Sequence, residues 1–202
     1  ESLLRENVEA VEAQHIEVLL AYSKLQAGDV EGAKLAFQSL QKSSDSLVRY
    51  QGLMGLAETA FLAGEFERAK EIYIQVLQDQ PTQDIQVQVW QELAQIATEQ
   101  EATEDILLAW RNILQMSIDD EALRSEAHTS IARALAQLER LDEAIAECEM
   151  NLSTPEAQLQ CAMILEMAGD QRAIERYKMV ANNELVSDIL RSESALGAAK
   201  LA

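Results

Sequence analysis

The residue types that most often carry out chemistry in proteins are sparse in this sequence: it holds two histidines, His15 and His128, and two cysteines, Cys148 and Cys161. A thiol nucleophile needs a histidine held beside it, and a zinc site needs ligands at short fixed spacings. The two histidines lie more than a hundred residues apart, with no HExxH pattern around either and neither near a cysteine in sequence. We therefore predict no catalytic residues and no metal ligands, and we interpret both histidines as surface or groove residues.

Carboxylates are the other candidates for chemistry, and they gather where loops lead into predicted helices. Acidic side chains there favour the positive N-terminus of the helix without any further role. A calcium loop would need a turn glycine that is missing, and no phosphate loop, nucleophile elbow or dinucleotide fingerprint occurs. We therefore predict that the chain is not an enzyme and binds no cofactor. The acidic groups are Asp119-Asp120-Glu121 and Glu99, Glu101, Glu104 and Asp105.

Net charge argues against two classes of partner. Asp and Glu total 35 against 16 Lys and Arg, a formal charge of −19, which repels phosphate backbones and anionic lipid head groups. No apolar run approaches the ~20 residues of a membrane span. We expect no nucleic-acid binding and no direct membrane binding by this stretch. Because the chain begins at Glu1 without a methionine, we interpret it as a fragment whose location, cytoplasmic or bacterial periplasmic, stays open.

The two cysteines allow two interpretations. Two are too few for a disulfide scaffold, and both lie among apolar residues of predicted helices, which favours buried free thiols. A bridge stays open as the alternative, since Cys148 falls on one predicted helix and Cys161 on the next, and such helices pack together.

Internal repetition is the strongest pattern in the sequence. The segments AYSKLQAGDVEGAKLAFQSL and AETAFLAGEFERAKEIYIQVL align at a single step of 36 residues. A glycine, an alanine and an aromatic residue recur in register, and weaker copies follow at steps of 37, 38 and 29 residues. The matched positions are Gly28 and Gly64, Ala33 and Ala69, Phe37 and Tyr73, then Ile106 and Trp110, Ala144 and Cys148, and Ala173 and Tyr177.

Each repeat is predicted to be a helix, a tight turn and a second helix. In the first repeat the stripe Ile16, Leu19, Leu20 and Ser23 has helical periodicity, Gly28 suits a left-handed turn, and Asp29 can cap the next helix. Thr154-Pro155-Glu156 marks another helix start. The small residue lets the second helix approach the first, and the aromatic residue four positions later fills the gap to the neighbouring pair.

These patterns predict helix pairs at about 8–42, 45–79, 82–116, 119–151 and 154–181, followed by one helix at about 183–200, all in a single domain spanning 1–202. We expect the last helix to act as a cap. Its apolar residues would cover the fifth pair and its charged residues would face water. The apolar set is Leu185, Ile189, Leu190 and Leu196, and the charged set is Glu184, Asp188, Arg191 and Glu193.

The turn glycines and the alanine–aromatic pairs resemble the tetratricopeptide repeat over roughly residues 14–180. The resemblance implies an all-α, right-handed α-solenoid of about five helix pairs plus a capping helix. It also implies a protein or peptide as the partner, bound in a groove lined by the first helices. The groove candidates are His15, Val18, Tyr22, Met54, Glu58, Phe61, Gln91, Gln95, Thr129, Arg133, Leu159 and Met163.

One subgroup of the family clamps a peptide carboxylate with Lys and Asn, but Val18 and Tyr22 stand at those positions here. We expect Tyr22 and Met54 to be the main anchors, because an amphipathic aromatic and a deformable thioether suit such contacts. The predicted function is therefore a binding scaffold or adaptor. The alternative is a self-associating structural module of a larger complex, for example an envelope-associated one. It would form a homo-oligomer paired through apolar residues near the array's ends, such as Leu3, Leu4 and Val8.

Overall fold

The computed structural model describes residues 2–116 and 119–202, with side chains from Glu12 onward. Helices account for 79% of the 202 residues, and no strand occurs in the described part of the chain. Eleven helices follow one another, so the all-α prediction is confirmed. They are α1 Ser2–Gln26, α2 Val30–Leu40, α3 Ser46–Leu62, α4 Phe66–Gln78, α5 Gln83–Glu99, α6 Thr103–Gln115, α7 Glu121–Gln137, α8 Leu141–Glu149, α9 Pro155–Met167, α10 Arg172–Ala181 and α11 Asp188–Leu201.

The turn inside each helix pair uses one hydrogen-bond device five times. In the first pair the amide of Asp29 donates to the Lys24 carbonyl oxygen at 2.9 Å, while Gly28 has a left-handed backbone with φ of +83°. The pairing satisfies carbonyls that the helix end would otherwise leave open. Gly64 and Gly169 repeat it.

The third and fourth pairs make the same turn without glycine. Glu101 and Glu139 take the left-handed conformation, with φ of 54° and 59°, and the following amides donate to Ala97 and Leu135. A side chain in this region costs roughly 1 kcal/mol relative to glycine. The geometry of the turn is therefore kept even where the sequence pattern is weakest.

Small residues on the second helices lie where the helices approach closely. Ala33, Ala69 and Ala173 have no exposed surface, and the aromatic residues four positions after them, Phe37, Tyr73 and Tyr177, are buried. The predicted pairing of a small residue with an aromatic one is therefore confirmed in the first, second and fifth pairs. The predicted caps are confirmed too: the carboxylate of Asp29 accepts from Gly32 N at 3.0 Å, and the Thr154 hydroxyl oxygen accepts from Ala157 N at 3.1 Å.

By its internal contacts the chain divides into two compact units. Unit 1 is Glu1–Ile96 and contains α1 to α4 and most of α5, whereas unit 2 is Ala97–Ala202 and contains α6 to α11. Each has its own core: Phe37 and Tyr73 fill unit 1, and Leu135 and Leu165 are enclosed in unit 2. The prediction of one domain over 1–202 stays a prediction.

The apolar stripe predicted on α1 faces outward. Ile16, Leu19 and Leu20 are all more than half exposed, and α1 instead buries Val18, Ala21 and Leu25. On α3 the residues 36 positions later include Gly52 and Gly55, which pack on α2. The corresponding face of α1 has no helix of the described chain before it to cover it. The side chains of Leu3, Leu4 and Val8 lie outside the described part.

The last helix packs on the fifth pair as predicted, but the residues predicted for that contact are wrong. Leu185 is 96% exposed, Ile189 is 78% exposed and Leu196 is 60% exposed; Leu190 alone of that stripe is half-buried. The helix starts only at Asp188 and buries a face of small residues, Ser194, Gly197 and Ala198. A Cβ atom on Gly197 would lie 2.6 Å from the ring of Tyr177, so only this face can approach α10 closely enough to pack.

The two cysteines form a disulfide that joins α8 to α9. Their Cα atoms are 5.3 Å apart, and both residues are buried. The expectation of two free thiols is therefore wrong, because the second helix of the fourth pair packs directly against the first helix of the fifth.

The acidic run before α7 has a structural role. One oxygen of Asp120 accepts from the amides of Ala122 and Leu123, at 2.9 and 3.1 Å, and so caps the helix. Across residues 2–116 and 119–202, no helix is long and apolar enough to pass through a lipid bilayer.

Candidate functional site

The predicted groove residues fall into three classes of exposure. Two are buried, three are well exposed and the rest are half-buried. Val18 and Leu159, at 3% and 4% exposure, belong to the cores of their own units and cannot touch a partner. The prediction that these two residues line the groove is therefore wrong, because their side chains point into the core instead. The exposed residues are Gln95, Arg133 and Met163; the half-buried residues are His15, Tyr22, Met54, Glu58, Phe61, Gln91 and Thr129.

In unit 1 the structure brings together side chains from three successive first helices. Tyr22 on α1 and Glu58 on α3 are separated by the repeat step of 36 residues, Glu92 on α5 follows 34 residues after Glu58, and the three interact electrostatically. We call Tyr22, Met54, Glu58, Phe61 and Glu92 the unit 1 face. Regular repetition of the helix pair places Tyr22 and Glu58 in equivalent positions, and Glu92 joins them from one helix turn before Gln95, the equivalent position on α5.

The unit 1 face stands on the core of the unit. The ring of Tyr22 packs edge-on against Phe37, with centroids 4.9 Å apart and planes at 67°. Met54 and Phe61 pack partly into the cluster around Tyr73, and Phe61 lies 5.6 Å from the ring of Phe66. These contacts fix the side chains before any partner arrives, which lowers the entropic cost of binding.

Burial dominates the electrostatics of this face. It raises the pKa of Glu58, with a further contribution from the negative charge of Glu92. It also raises the pKa of Glu92, although the hydrogen bond that Glu92 accepts from the Tyr73 hydroxyl opposes the effect. The pKa of Tyr22 is raised by burial and by both carboxylates, so its hydroxyl stays protonated.

Unit 2 carries the other predicted positions in different surroundings. The Thr129 hydroxyl donates to the Ser125 carbonyl oxygen at 2.9 Å, which occupies it within α7. Met163 is exposed on α9. The histidine of this unit, His128, lies 2.7 Å from a carboxylate oxygen of Glu147 and so joins α7 to α8. No group of three metal-ligating side chains occurs among residues 2–116 and 119–202.

Sequence reasoning missed Glu92 and named its neighbours Gln91 and Gln95 instead. Tyr22 and Glu58 each lie six residues before the left-handed turn residue of their pair, Gly28 or Gly64, and the same spacing before Glu101 points to Gln95. Glu92 lies three residues earlier, about one helix turn, and therefore reaches the same side of α5. Considering the positions one turn away from the repeat-equivalent residue could have found it.

No protein-family model and no curated protein matches the sequence. Solved structures do match it over most of its length. A structure of YrrB, described as a TPR protein with an unusual peptide-binding site, aligns with 97% of this chain and 98% of its own, at 14% identity and a TM-score of 0.64. A structure of MamA covers 94% of this chain and 95% of its own, at 16% identity and a TM-score of 0.64.

A third solved structure, a tetratricopeptide repeat protein from Parabacteroides merdae, covers 94% of this chain and 75% of its own, at 18% identity and a TM-score of 0.69. At such low identities a likeness of this kind shows the fold alone. Together with the five repeated turns and the alanine–aromatic contacts, it confirms that this chain has the helical-repeat fold of tetratricopeptide repeat proteins.

Proposed function

We propose that this protein is a binding scaffold that holds a peptide segment of a partner protein on the unit 1 face. The observation that carries the proposal is the row of side chains from three first helices, in which an aromatic, a thioether and two carboxylates are half-buried and held by the core. Such a surface offers apolar area for affinity and polar groups for specificity. A solved structure of the same fold, YrrB, is described as having a peptide-binding site.

The chemistry of the described side chains supports binding over catalysis. Among the described residues no group of three metal-ligating side chains occurs, and the two cysteines are joined to each other. The His128–Glu147 pair lies in unit 2, and neither residue has a nucleophile as partner among the contacts of the described chain. The unit 1 face, which is preformed and half-buried, is therefore the better candidate for function, and its side chains suit binding.

A peptide selection tests the proposal. A random dodecapeptide library displayed on phage is selected on the immobilised protein, and each recovered peptide is synthesised with a fluorescein label and titrated by anisotropy. We expect the Tyr22→Ala, Met54→Ala double variant to weaken binding by ~10- to 100-fold, because each truncation removes a buried anchor. The matched control is Leu35→Ala, Ile74→Ala, which truncates exposed apolar residues on second helices of the same unit.

Circular dichroism must show that both double variants keep the helical content of the parent. Peptides that bind the Tyr22→Ala, Met54→Ala variant as tightly as the parent would place the binding surface elsewhere. Failure to recover any peptide whose binding depends on these two residues would remove the proposed role of the unit 1 face.

Self-association is a second candidate, favoured by the exposed face of α1. Ile16, Leu19 and Leu20 are exposed there, and Leu20 lines an open cleft of about 580 Å³ between α1 and α2. An apolar patch of this kind often marks a protein interface. Light scattering over a range of protein concentrations separates the two functions, since a mass that stays at 22.4 kDa contradicts assembly through this face.

A further inference from the structure

Half-buried carboxylates in this structure normally have a partner. Six are half-buried among the described side chains, and five of them accept a hydrogen bond or form an ion pair: Asp45, Glu92, Glu147, Glu166 and Asp170. The sixth is Glu58. Neither a hydrogen bond nor an ion pair to Glu58 occurs in the part of the chain that the structure describes.

Glu58 is in addition held near a second negative charge. Glu92 on α5 accepts a hydrogen bond from the Tyr73 hydroxyl, but it has no cation as partner among the described residues. Two ionised carboxylates that are half-buried and close to one another oppose folding. Elsewhere in the chain exposed carboxylates do have arginine partners, as in Glu65 with Arg68 and Glu143 with Arg140, both at 2.7 Å.

A third acceptor lies on the same side of α3. The Oε1 atom of Gln51 is buried and has no hydrogen-bond donor, and residue 51 precedes Glu58 by seven positions, which is two helical turns. Buried acceptors without a donor are rare in folded proteins, and each calls for an explanation. Gln51 and Glu58 therefore lack a donor, and Glu92 lacks a cation.

The side chains around the carboxylates suit one kind of donor. Tyr22 offers an aromatic ring, and Met54 and Phe61 offer apolar surface, all half-buried beside Glu58 on the unit 1 face. Lysine and arginine combine a charged head with an apolar stem, and their cations are attracted to aromatic rings. A neutral or acidic peptide would leave the carboxylates without a partner and cover them at a cost.

We propose that the unit 1 face recognises a lysine or arginine side chain of the bound peptide, which inserts between Glu58 and Glu92 while a neighbouring apolar residue packs on Tyr22 and Met54. This rests on the proposed function and deepens it by naming the chemistry of the partner. The inference rests on charge complementarity, because the cation of the peptide would supply the positive charge that Glu58 lacks within the described chain.

The test uses the peptides recovered in the selection above and the variant Glu58→Gln, Glu92→Gln. We expect each groove-dependent peptide to contain Lys or Arg beside an apolar residue, and the variant to bind it ~10-fold or more weakly, because it loses charge-assisted hydrogen bonds. Replacing the basic residue of the peptide by glutamine should weaken binding to the parent by a similar factor. Glu31→Gln, Glu71→Gln is the matched control, with the same charge change at exposed positions of α2 and α4.

A measurement of stability shows whether the Glu58→Gln, Glu92→Gln variant binds more weakly because it has lost recognition or because it has unfolded. Because burial raises the pKa of both carboxylates, the folded unit holds their protons more tightly than the unfolded chain, and stability is lost as the pH rises above 4.5. The Glu58→Gln, Glu92→Gln variant should therefore be at least as stable as the parent at pH 7. Weaker binding by a more stable protein cannot come from unfolding.

The outcomes distinguish this inference from the function on which it rests. Peptides that need Tyr22 and Met54 but bind the double glutamine variant as tightly as the parent would overturn the inference and leave the scaffold function standing. Peptides that bind both double variants as tightly as the parent would overturn both the inference and the proposed scaffold function of the unit 1 face.

Discussion

Replacing Gly52 by valine is expected to destabilise unit 1 by about 3 kcal/mol or more. A Cβ atom at this position of α3 would lie 2.5 Å from the amide nitrogen of Gln41 and 2.8 Å from the carbonyl carbon of Leu40. These are backbone atoms at the end of α2, so no side-chain rotation can relieve the overlap. The helices must separate, and the packing around Phe37 is lost with them.

Urea unfolding followed by circular dichroism and by Trp90 fluorescence, with Trp110 replaced by phenylalanine, measures the effect in unit 1. The matched control is Ala13→Val on the exposed side of α1, which also introduces a valine into a first helix and should cost only a few tenths of a kcal/mol. Equal stability of Gly52→Val and its parent would contradict the close α2–α3 contact on which the unit 1 face is built.

Reducing the disulfide is the second large effect, and it should act on unit 2. The bridge closes a sequence separation of 13 residues, for which the chain-entropy model gives about 3 kcal/mol. For a unit of roughly a hundred residues this corresponds to a fall of about 12–24 °C in Tm. We expect the reductant to lower the Tm of unit 2 because the unfolded chain gains freedom once α8 and α9 are no longer tied.

Hydrogen exchange measured by mass spectrometry shows which unit the reductant destabilises. Peptides from α7 to α10 should lose protection on reduction, whereas those from α2 to α4 should keep it. The Cys148→Ala, Cys161→Ala variant provides the control, because the reductant should not change its stability further. A parent protein whose unfolding is the same with and without reductant would show that the bridge contributes nothing.

Much of the fold could be predicted because its determinants are local and repeated. Gly28 and Gly64 mark left-handed turns that few other residues adopt, and Ala33 and Ala69 recur at one step. The turns at Glu101 and Glu139, where glycine is absent, fit the same frame, because each lies five residues before the position that aligns with Ala33, Ile106 or Ala144.

The sequence predictions that are wrong concern which face of a helix packs against its neighbours, because that depends on tertiary packing. Leu196 and Gly197 are neighbours, and only the position of Tyr177 decides that the glycine is buried and the leucine is exposed. The disulfide needed the distance between α8 and α9, which the sequence does not contain. Glu92 was missed because it lies one helix turn before Gln95, the position that the repeat spacing indicates.

The central claim, that a partner peptide lies on the first-helix side of unit 1, is tested most directly by site-specific photo-crosslinking. The photoreactive amino acid p-benzoylphenylalanine is placed at Gln95, exposed on α5 one turn after Glu92, or at Ile74, exposed on the second helix α4. Each protein is irradiated with a peptide from the selection and digested for mass spectrometry. We predict a crosslink from position 95 and none from position 74; a crosslink of equal yield from position 74, or from it alone, would contradict the account.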